Sequence, residues 1–422
     1  MIFFGGFLIA VAVALPTLVA DNFRTISLGT DVTSSAPSLE PPQTEPGARI
    51  LDRCSLVTPG ARILDAALTR QQRVLAVRPA DTRRVTLQAG TSVRIDHLTI
   101  DGKKVDATAP RPGSEVPVPA GDDPCTNPTV AAVKDRITLD RSSALPDLSR
   151  GGSSEIQYDS NRAPVRVPDR RGFTYLLGFD TIDSGTTGLQ YFDVTTRRAV
   201  PLTLVGDDQI RGHQAVRLRA EIPDVDLHQI NGSGTDTVET TPPTIITRPA
   251  SWFTAAGVAI PGDPNRPVTA TLHHRGSVEM SVDTATGTIL DQRITVDEAY
   301  RFIDADPALA DASLTSLAAT FRYDDVTRRE LARAATALAA PATVWGRVIP
   351  VLAGIAGVAL LIAGIVLMHP PWDPRPHLSR WWARRSASLR RRRREDPPPP
   401  HDDPPADART HDAPPGDTTT SS

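Results

Sequence analysis

The stretch Val348–Met368 constrains this chain more than any other. It reads VIPVLAGIAGVALLIAGIVLM, with no charge and no strongly polar side chain. At 1.5 Å rise per residue, about 20 such residues span the roughly 30 Å hydrocarbon core of a bilayer. His369, Pro370, Pro371 and Trp372 follow and stop a helix. Then come Arg375, Arg380, Arg384, Arg385 and the run Arg390, Arg391, Arg392, Arg393 and Arg394. Positive charge on one side of an apolar span fixes orientation, here with the C-terminus in the cytoplasm. Trp372, Trp381 and Trp382 suit the headgroup boundary, where one end of the ring is dry and the other wet. A buried core helix is the competing reading, and the length, the lack of charge and the one-sided arginines argue against it. Ala353 and Gly357 at four-residue spacing offer a face for helix–helix self-association, although small residues are common in such spans anyway.

A second apolar run, Ile2–Ala20, opens the chain. A signal peptide needs a basic n-region, yet no Lys or Arg occurs before Arg24. A retained anchor with its N-terminus inside fits the orientation of the second span, and cleavage after Ala14 or Ala20 is the alternative. Two spans place both termini in the cytoplasm and everything between them outside. Cys54 and Cys125 both fall in that exported stretch, where a disulfide is chemically allowed. Such a bridge closes a loop of about 70 residues, worth about 4 kcal/mol in the chain-entropy model. Two free thiols are the other possibility.

Between the apolar runs the pattern is that of strands. The 39 prolines and a 5% aromatic content imply many turns and few large hydrophobic anchors. Residues 34–65 are rich in Pro, Ser and Gly and carry a perfect repeat. Pro46-Gly47-Ala48-Arg49-Ile50-Leu51-Asp52 recurs as Pro59-Gly60-Ala61-Arg62-Ile63-Leu64-Asp65. Two copies are too few for a solenoid, so a duplication in an exposed segment is the expectation. Arg73–Ile100 alternates apolar and polar residues, the period of half-buried strands. Phe173–Leu177, Leu189–Phe192, Val200–Val205 and Ala215–Ile222 read as short strands. Turn formers at Asp193–Thr196, Gly206–Asp208 and Arg211-Gly212 separate them. Thr269–His273, Ser277–Val282 and Ile289–Val296 continue the series around a turn at Asp283–Gly287, with Thr315–Tyr323 as one more strand. The spacing of about 10–12 residues favours antiparallel sheets over crossovers through helices. In the strands around the Asp193 turn, Leu189, Tyr191, Val200, Leu202 and Leu204 form the expected core face. Asp324 or Asp325 caps a helix starting near Thr327, with a break near Pro341.

The expected architecture is mainly β, with antiparallel sheets in an exported domain flanked by transmembrane α-helices. Its parts are an anchor or signal at 1–20 and an exported β-rich region at 21–323. A juxtamembrane helix at 324–345, a membrane helix at 346–369 and a cytoplasmic tail at 370–422 follow. That tail is rich in Pro and Asp and has too little apolar surface to order itself.

Several of these patterns occur together in one known family. They are an N-terminal apolar run ending in Leu-Pro, then Tyr191-Phe192-Asp193-Val194-Thr195-Thr196 with Ala199-Val200-Pro201. Gly206 to Ile210-Arg211-Gly212, Val282-Asp283 to Thr286-Gly287, and a terminal membrane helix complete the set. The chain thus resembles the actinobacterial PorA-type porins, an envelope family of largely unknown function. The likeness runs over most of residues 1–368 and is clearest over 170–300. It implies a cell-envelope location and offers a porin label, and it carries no catalytic residues. The charge-free N-terminus, the heptapeptide repeat and the tail after Arg394 depart from the family pattern.

No constellation of residues announces chemistry. His273-His274 with Glu279 raises the idea of a metal, but neighbours on a strand face opposite sides and no third ligand is suitably spaced. Exposed strand histidines are the expectation. Gly151–Ser154 and Asn231–Gly234 lack the strand–helix context of a phosphate loop or nucleophile elbow. Asp193 and Asp283 are placed to bind their own turn backbones, which explains them without calcium. The chain is expected to be no enzyme, with no cofactor and no metal. Arg390–Arg394 lies just past the membrane span, so anionic headgroups are a simpler partner than nucleic acid, and a pure topology signal serves as well. Two functions compete: an exported domain that binds or organises an envelope lipid or glycan, and a channel-forming porin. The specific ligand is not legible at this level.

The cysteines give a direct test. If Cys54 and Cys125 pair, the unreduced chain migrates faster on a denaturing gel than the reduced chain. Both thiols also resist alkylation until reduction; rapid labelling of both without reductant would remove the bridge.

Overall fold

The computed structural model describes residues 1–41, 47–100, 102–106, 127–149, 151–158, 162–179, 187–232, 242–303 and 306–368. Cys125 and Arg390–Arg394 lie outside them.

Helix α1 (Ile2–Phe23) opens the chain. Strands β1 (Asp31–Pro37) and β2 (Arg49–Leu51) precede a long hairpin of β3 (Ile63–Ala80) and β4 (Arg84–Ile100). Short β5 (Lys103–Asp106), β6 (Thr129–Asp140), β7 (Ser154–Gln157) and β8 (Val165–Arg166) follow. Next come β9 (Gln190–Asp193), β10 (Arg198–Ile210), β11 (His213–Asp226) and helix α2 (Leu227–Gly232). β12 (Ile245–Pro249) and helix α3 (Ala250–Thr254) lead to a second long hairpin, β13 (Pro267–Asp283) and β14 (Ile289–Phe302). After β15 (Ser313–Arg322) the chain is helical to the end of the described residues, through α4 (Asp325–Thr343) and α5 (Ile349–Met368).

The 15 strands of the described residues belong to one antiparallel sheet, whose path runs β8-β7-β6-β4-β3-β2-β15-β14-β13-β11-β10-β9. β1, β5 and β12 add to it at β3, β4 and β13. The hairpins expected around the Asp193 and Asp283 turns are present, β9 with β10 and β13 with β14. Each turn is an Asp-x-x-Thr unit. The Asp193 carboxylate accepts the Thr196 N–H at 2.7 Å, and that of Asp283 accepts the Thr286 N–H at 2.9 Å and its hydroxyl at 2.6 Å. Arg211 and Gly212, with φ of 51° and 87°, form the tight turn of the β10–β11 hairpin.

Several strands are longer than their local patterns imply. Thr269–His273 and Ser277–Val282 are both within β13, 17 residues long. Gly276 does not break it. A Cβ there would lie 2.3 Å from the Thr295 carbonyl, so the glycine permits close strand pairing rather than a turn. Gly206–Asp208 is likewise no turn, but lies beside a bulge inside β10. Just before that bulge Leu204 is 44% exposed, whereas Tyr191, Val200 and Leu202 are buried as expected. Phe173–Leu177 is not a regular strand; only Phe173 bridges to Tyr191.

The heptapeptide repeat is core structure, which corrects its reading as an exposed duplication. Its two copies pair antiparallel with each other: Arg49 opposite Asp65, Ile50 opposite Leu64 and Leu51 opposite Ile63. Asp52, fully buried, takes an ion pair from Arg62 at 2.8 Å. A second apolar cluster packs beside it, around Trp252, Phe253, Tyr300 and Leu314. The Trp252 indole donates to the Ser55 carbonyl at 2.8 Å, tying the repeat region to α3. Cys54 is fully buried here and disulfide-bonded.

The two ends of the sheet path meet. Tyr158, just after β7, donates to the Val194 carbonyl just after β9, at 2.8 Å. The segment after β8 then runs along β9, with Phe173 N–H to Gln190 O and Phe192 N–H to Phe173 O, both 2.8 Å. From this segment Arg170 reaches back to Asp135 on β6 in a two-pronged ion pair, 2.7 and 2.8 Å, with both side chains 1% exposed. Tyr175 also donates to Asp135, at 2.6 Å, and the Arg170 guanidinium stacks over Phe192. This seam turns an open sheet into a barrel-like shell.

Asp324 caps α4 as expected, accepting the Thr327 N–H at 2.7 Å. The break expected at Pro341 is absent. The helix continues through Pro341 and a π-helical stretch, Val344–Val348, and runs on for 44 residues from Asp325 to Met368. Among the described residues it is the one helix long and apolar enough to cross a membrane. α1 packs antiparallel against α5. Gly5 lies against Gly357 and Leu361, and Ile2 against Gly364, so the small-residue face of α5 is covered by the chain's own α1.

Asp135→Ala strands a buried guanidinium and should destabilise the domain by about 3–5 kcal/mol in denaturant unfolding of the full chain. The pair Asp135→Leu with Arg170→Met should recover most of that loss. Equal stability of Asp135→Ala and wild type would remove the seam from the argument.

Candidate functional site

The shell encloses a cavity of about 180 Å³ walled by inward-facing residues of β3, β4, β6, β11, β13, β14 and β15. Its apolar wall includes Val93, Leu272, Val278, Ile294 and Phe321. A second space, of about 330 Å³, lies between the residues that follow α1, the 175–179 segment and α4. Ile26, Leu176, Leu177, Leu331 and Leu338 make it apolar. Gln72 and Tyr175 line both, so the two spaces adjoin. The outer one sits where the chain leaves α1 and approaches α5.

Among the described residues, four charged ones line the inner cavity: Arg70, Asp193, His274 and Glu298. His274 is 3% exposed, which corrects its reading as a surface residue. Its strand parity turns it inward, while His273 faces out and bonds Asp224 at 2.8 Å. His274 Nδ1 meets the Glu298 carboxylate at 2.9 Å. Burial pulls the imidazole pKa down, but the Glu298 hydrogen bond and the nearby Asp193, Glu298 and Asp297 charges outweigh it, so the net shift is upward. Burial also drives the Tyr158, Tyr175 and Tyr191 phenols above their ordinary range, so they stay neutral, and Tyr158 and Tyr175 act as donors. Glu279 pairs with Arg217 rather than with either histidine. Among the described residues no group of three or more His, Cys, Asp or Glu is placed to hold a metal.

The convex face is different in kind. Arg73 pairs with Asp31, Arg219 with Glu221 and Arg275 with Asp297, all on solvent-facing strand positions. A wider polar hollow on this face gathers Arg217, Arg293, Arg322 and Arg328 around Asp291 and Asp208.

The sequence matches the family described as Porin PorA across residues 1–366. The chain belongs to the PorA porin family. No curated protein matches it. Among solved structures, an outer membrane lipoprotein-sorting protein domain from Vibrio parahaemolyticus is similar at 9% identity and TM-score 0.18, over 75% of this chain and 90% of that one. A β-barrel-like protein domain from Brucella abortus is similar at 9% identity and TM-score 0.12, over 71% of this chain and all of that one. Likeness at these scores carries no argument.

The cavity of this PorA-family chain was missed at the level of motifs, because its polar residues come from strands far apart in sequence. One signal was available. Extending the two-residue period from Leu64 and Leu68 to Val74 puts Arg70 and Gln72 on the core face, inside a run (Thr69 to Arg73) that otherwise reads as exposed.

Because the folded pKa of His274 is raised, its stabilising contribution is complete below its ordinary value of about 6.5 and fades as pH rises through the folded value. His274→Gln should therefore lower the melting temperature more at pH about 6 than at about 9. A deficit independent of pH would refute a protonated His274.

Proposed function

We propose that this PorA-family chain is a non-enzymatic, membrane-anchored envelope protein whose β domain holds a lipid in its interior. The observation that carries this reading is the pair of adjoining apolar spaces, the outer one lying beside the helices that reach the membrane. α1 and α5 together form an antiparallel apolar hairpin, which supports two spans with the β domain outside and the tail after Met368 in the cytoplasm. The outer space beside the helices is walled mainly by apolar side chains, which suits the chain of a lipid better than a glycan.

The channel reading rests on the family description. Strand length does not decide against it, since β3 and β4 reach 18 and 17 residues. The charges on the convex face do weigh against it. An outward Arg at the bilayer midplane costs about 2–4 kcal/mol, and a barrel in lipid needs a continuous apolar belt where this one has Arg73, Arg219 and Arg275.

Mass spectrometry of the purified full chain should find lipid bound at a fixed ratio, and Ala131→Phe, which fills the inner cavity, should lower that ratio. A lipid-free chain that conducts ions in a planar bilayer would favour the channel instead.

A further inference from the structure

Three of the four charges lining the inner cavity are satisfied within the fold. His274 and Glu298 bond each other, and Asp193 accepts the Thr196 N–H while feeling the His274 charge. Arg70 is the exception. It occupies the core face of β3 between Leu68 and Gln72, with Ala36 of β1 and Val93 of β4 opposite it in the ladders. Leu68, Ala36 and Val93 are all buried apolar residues. The Arg70 side chain makes no hydrogen bond or ion pair to any described residue. Its near neighbours Tyr191 and Tyr323 are phenols kept neutral by burial. Gln72, next on the same face, is already engaged with Thr91 at 3.0 Å.

A guanidinium carries five N–H donors in a planar fork, and those of Arg70, which is part-buried and faces a cavity that also holds Asp193 and Glu298, have no partner among the described residues. An anion entering the cavity would meet that fork, whose geometry suits a carboxylate or phosphate. Resting on the lipid reading above, we infer that the ligand is an amphiphile with an acidic head, bound with that head on Arg70 and its apolar chain against Val93, Ile294 and Phe321. Asp193 opposes such a head, which makes Arg70 the residue that decides between acidic and neutral lipids. The acidic group is either a carboxylate, as in a fatty acid, or a phosphate monoester, as in a phospholipid precursor.

The test uses the full chain in nanodiscs of phosphatidylcholine, labelled with a photoreactive fatty acid. Palmitate, hexadecyl phosphate and hexadecanol then compete for the cavity. On wild type at least one acidic competitor should outdo the alcohol by about tenfold. The better of the two acids identifies the head. Arg70→Gln should bring acid and alcohol within about twofold of each other, while Arg70→Lys keeps part of the preference. Equal competition by alcohol and acids on wild type overturns the role of Arg70 and leaves the lipid cavity standing. So does an acid preference that survives in Arg70→Gln. Absence of labelling at cavity residues with every probe overturns both readings. If Arg70→Gln does not fold, Arg70→Leu takes its place as the variant without donor or charge, and an acid preference that survives in it overturns the inference.

Discussion

Asp135 and Arg170 meet in a part of the molecule from which water is excluded. Taking the two charges out of water is costly, and their mutual attraction repays that cost only where the geometry is good and the remaining donors are matched. Here two parallel N–H bonds, the Tyr175 hydroxyl, the Thr174 hydroxyl and the face of Phe192 all contribute, while the buried Arg170 Nε has no partner among the described residues. The pair holds the 170–177 segment between the two ends of the strand path. Without that segment the sheet has two open edges and its concave side is a trough. With it the concave side is a chamber, and the residues facing inward line a site.

Much of the architecture was legible from short-range pattern. Period-two alternation located β3, β4 and the strands around Asp193 and Asp283, and the Asp-x-x-Thr turns and the Asp324 cap act through bonds spanning three residues. Errors arose where a local signal was overruled by pairing. Gly276 reads as a break until the neighbouring Thr295 carbonyl is in place, and Pro341 reads as a stop although the helix continues through it. The seam was not legible, because Asp135 and Arg170 stand 35 residues apart with no periodicity linking them. The same holds for the cavity. Arg70, His274 and Glu298 come from three strands, and each looks like an ordinary polar residue in its own neighbourhood.

The molecule separates its polar and apolar surfaces in an order suited to working at a membrane boundary. Apolar helices α1 and α5 lie together, apolar spaces follow next to them, and the ionic lattice of the convex strands faces outward. The lipid reading follows from that order more than from any one residue.

The self-pairing heptapeptide has a consequence for how such a fold arises. A segment reading Arg-Ile-Leu-Asp is its own antiparallel complement: Arg faces Asp, Ile faces Leu, Leu faces Ile and Asp faces Arg. Most duplicated strands must acquire matching changes before the copies fit each other. A tandem copy of such a segment needs none: it supplies a strand and its partner at once, with charge and apolar register already matched.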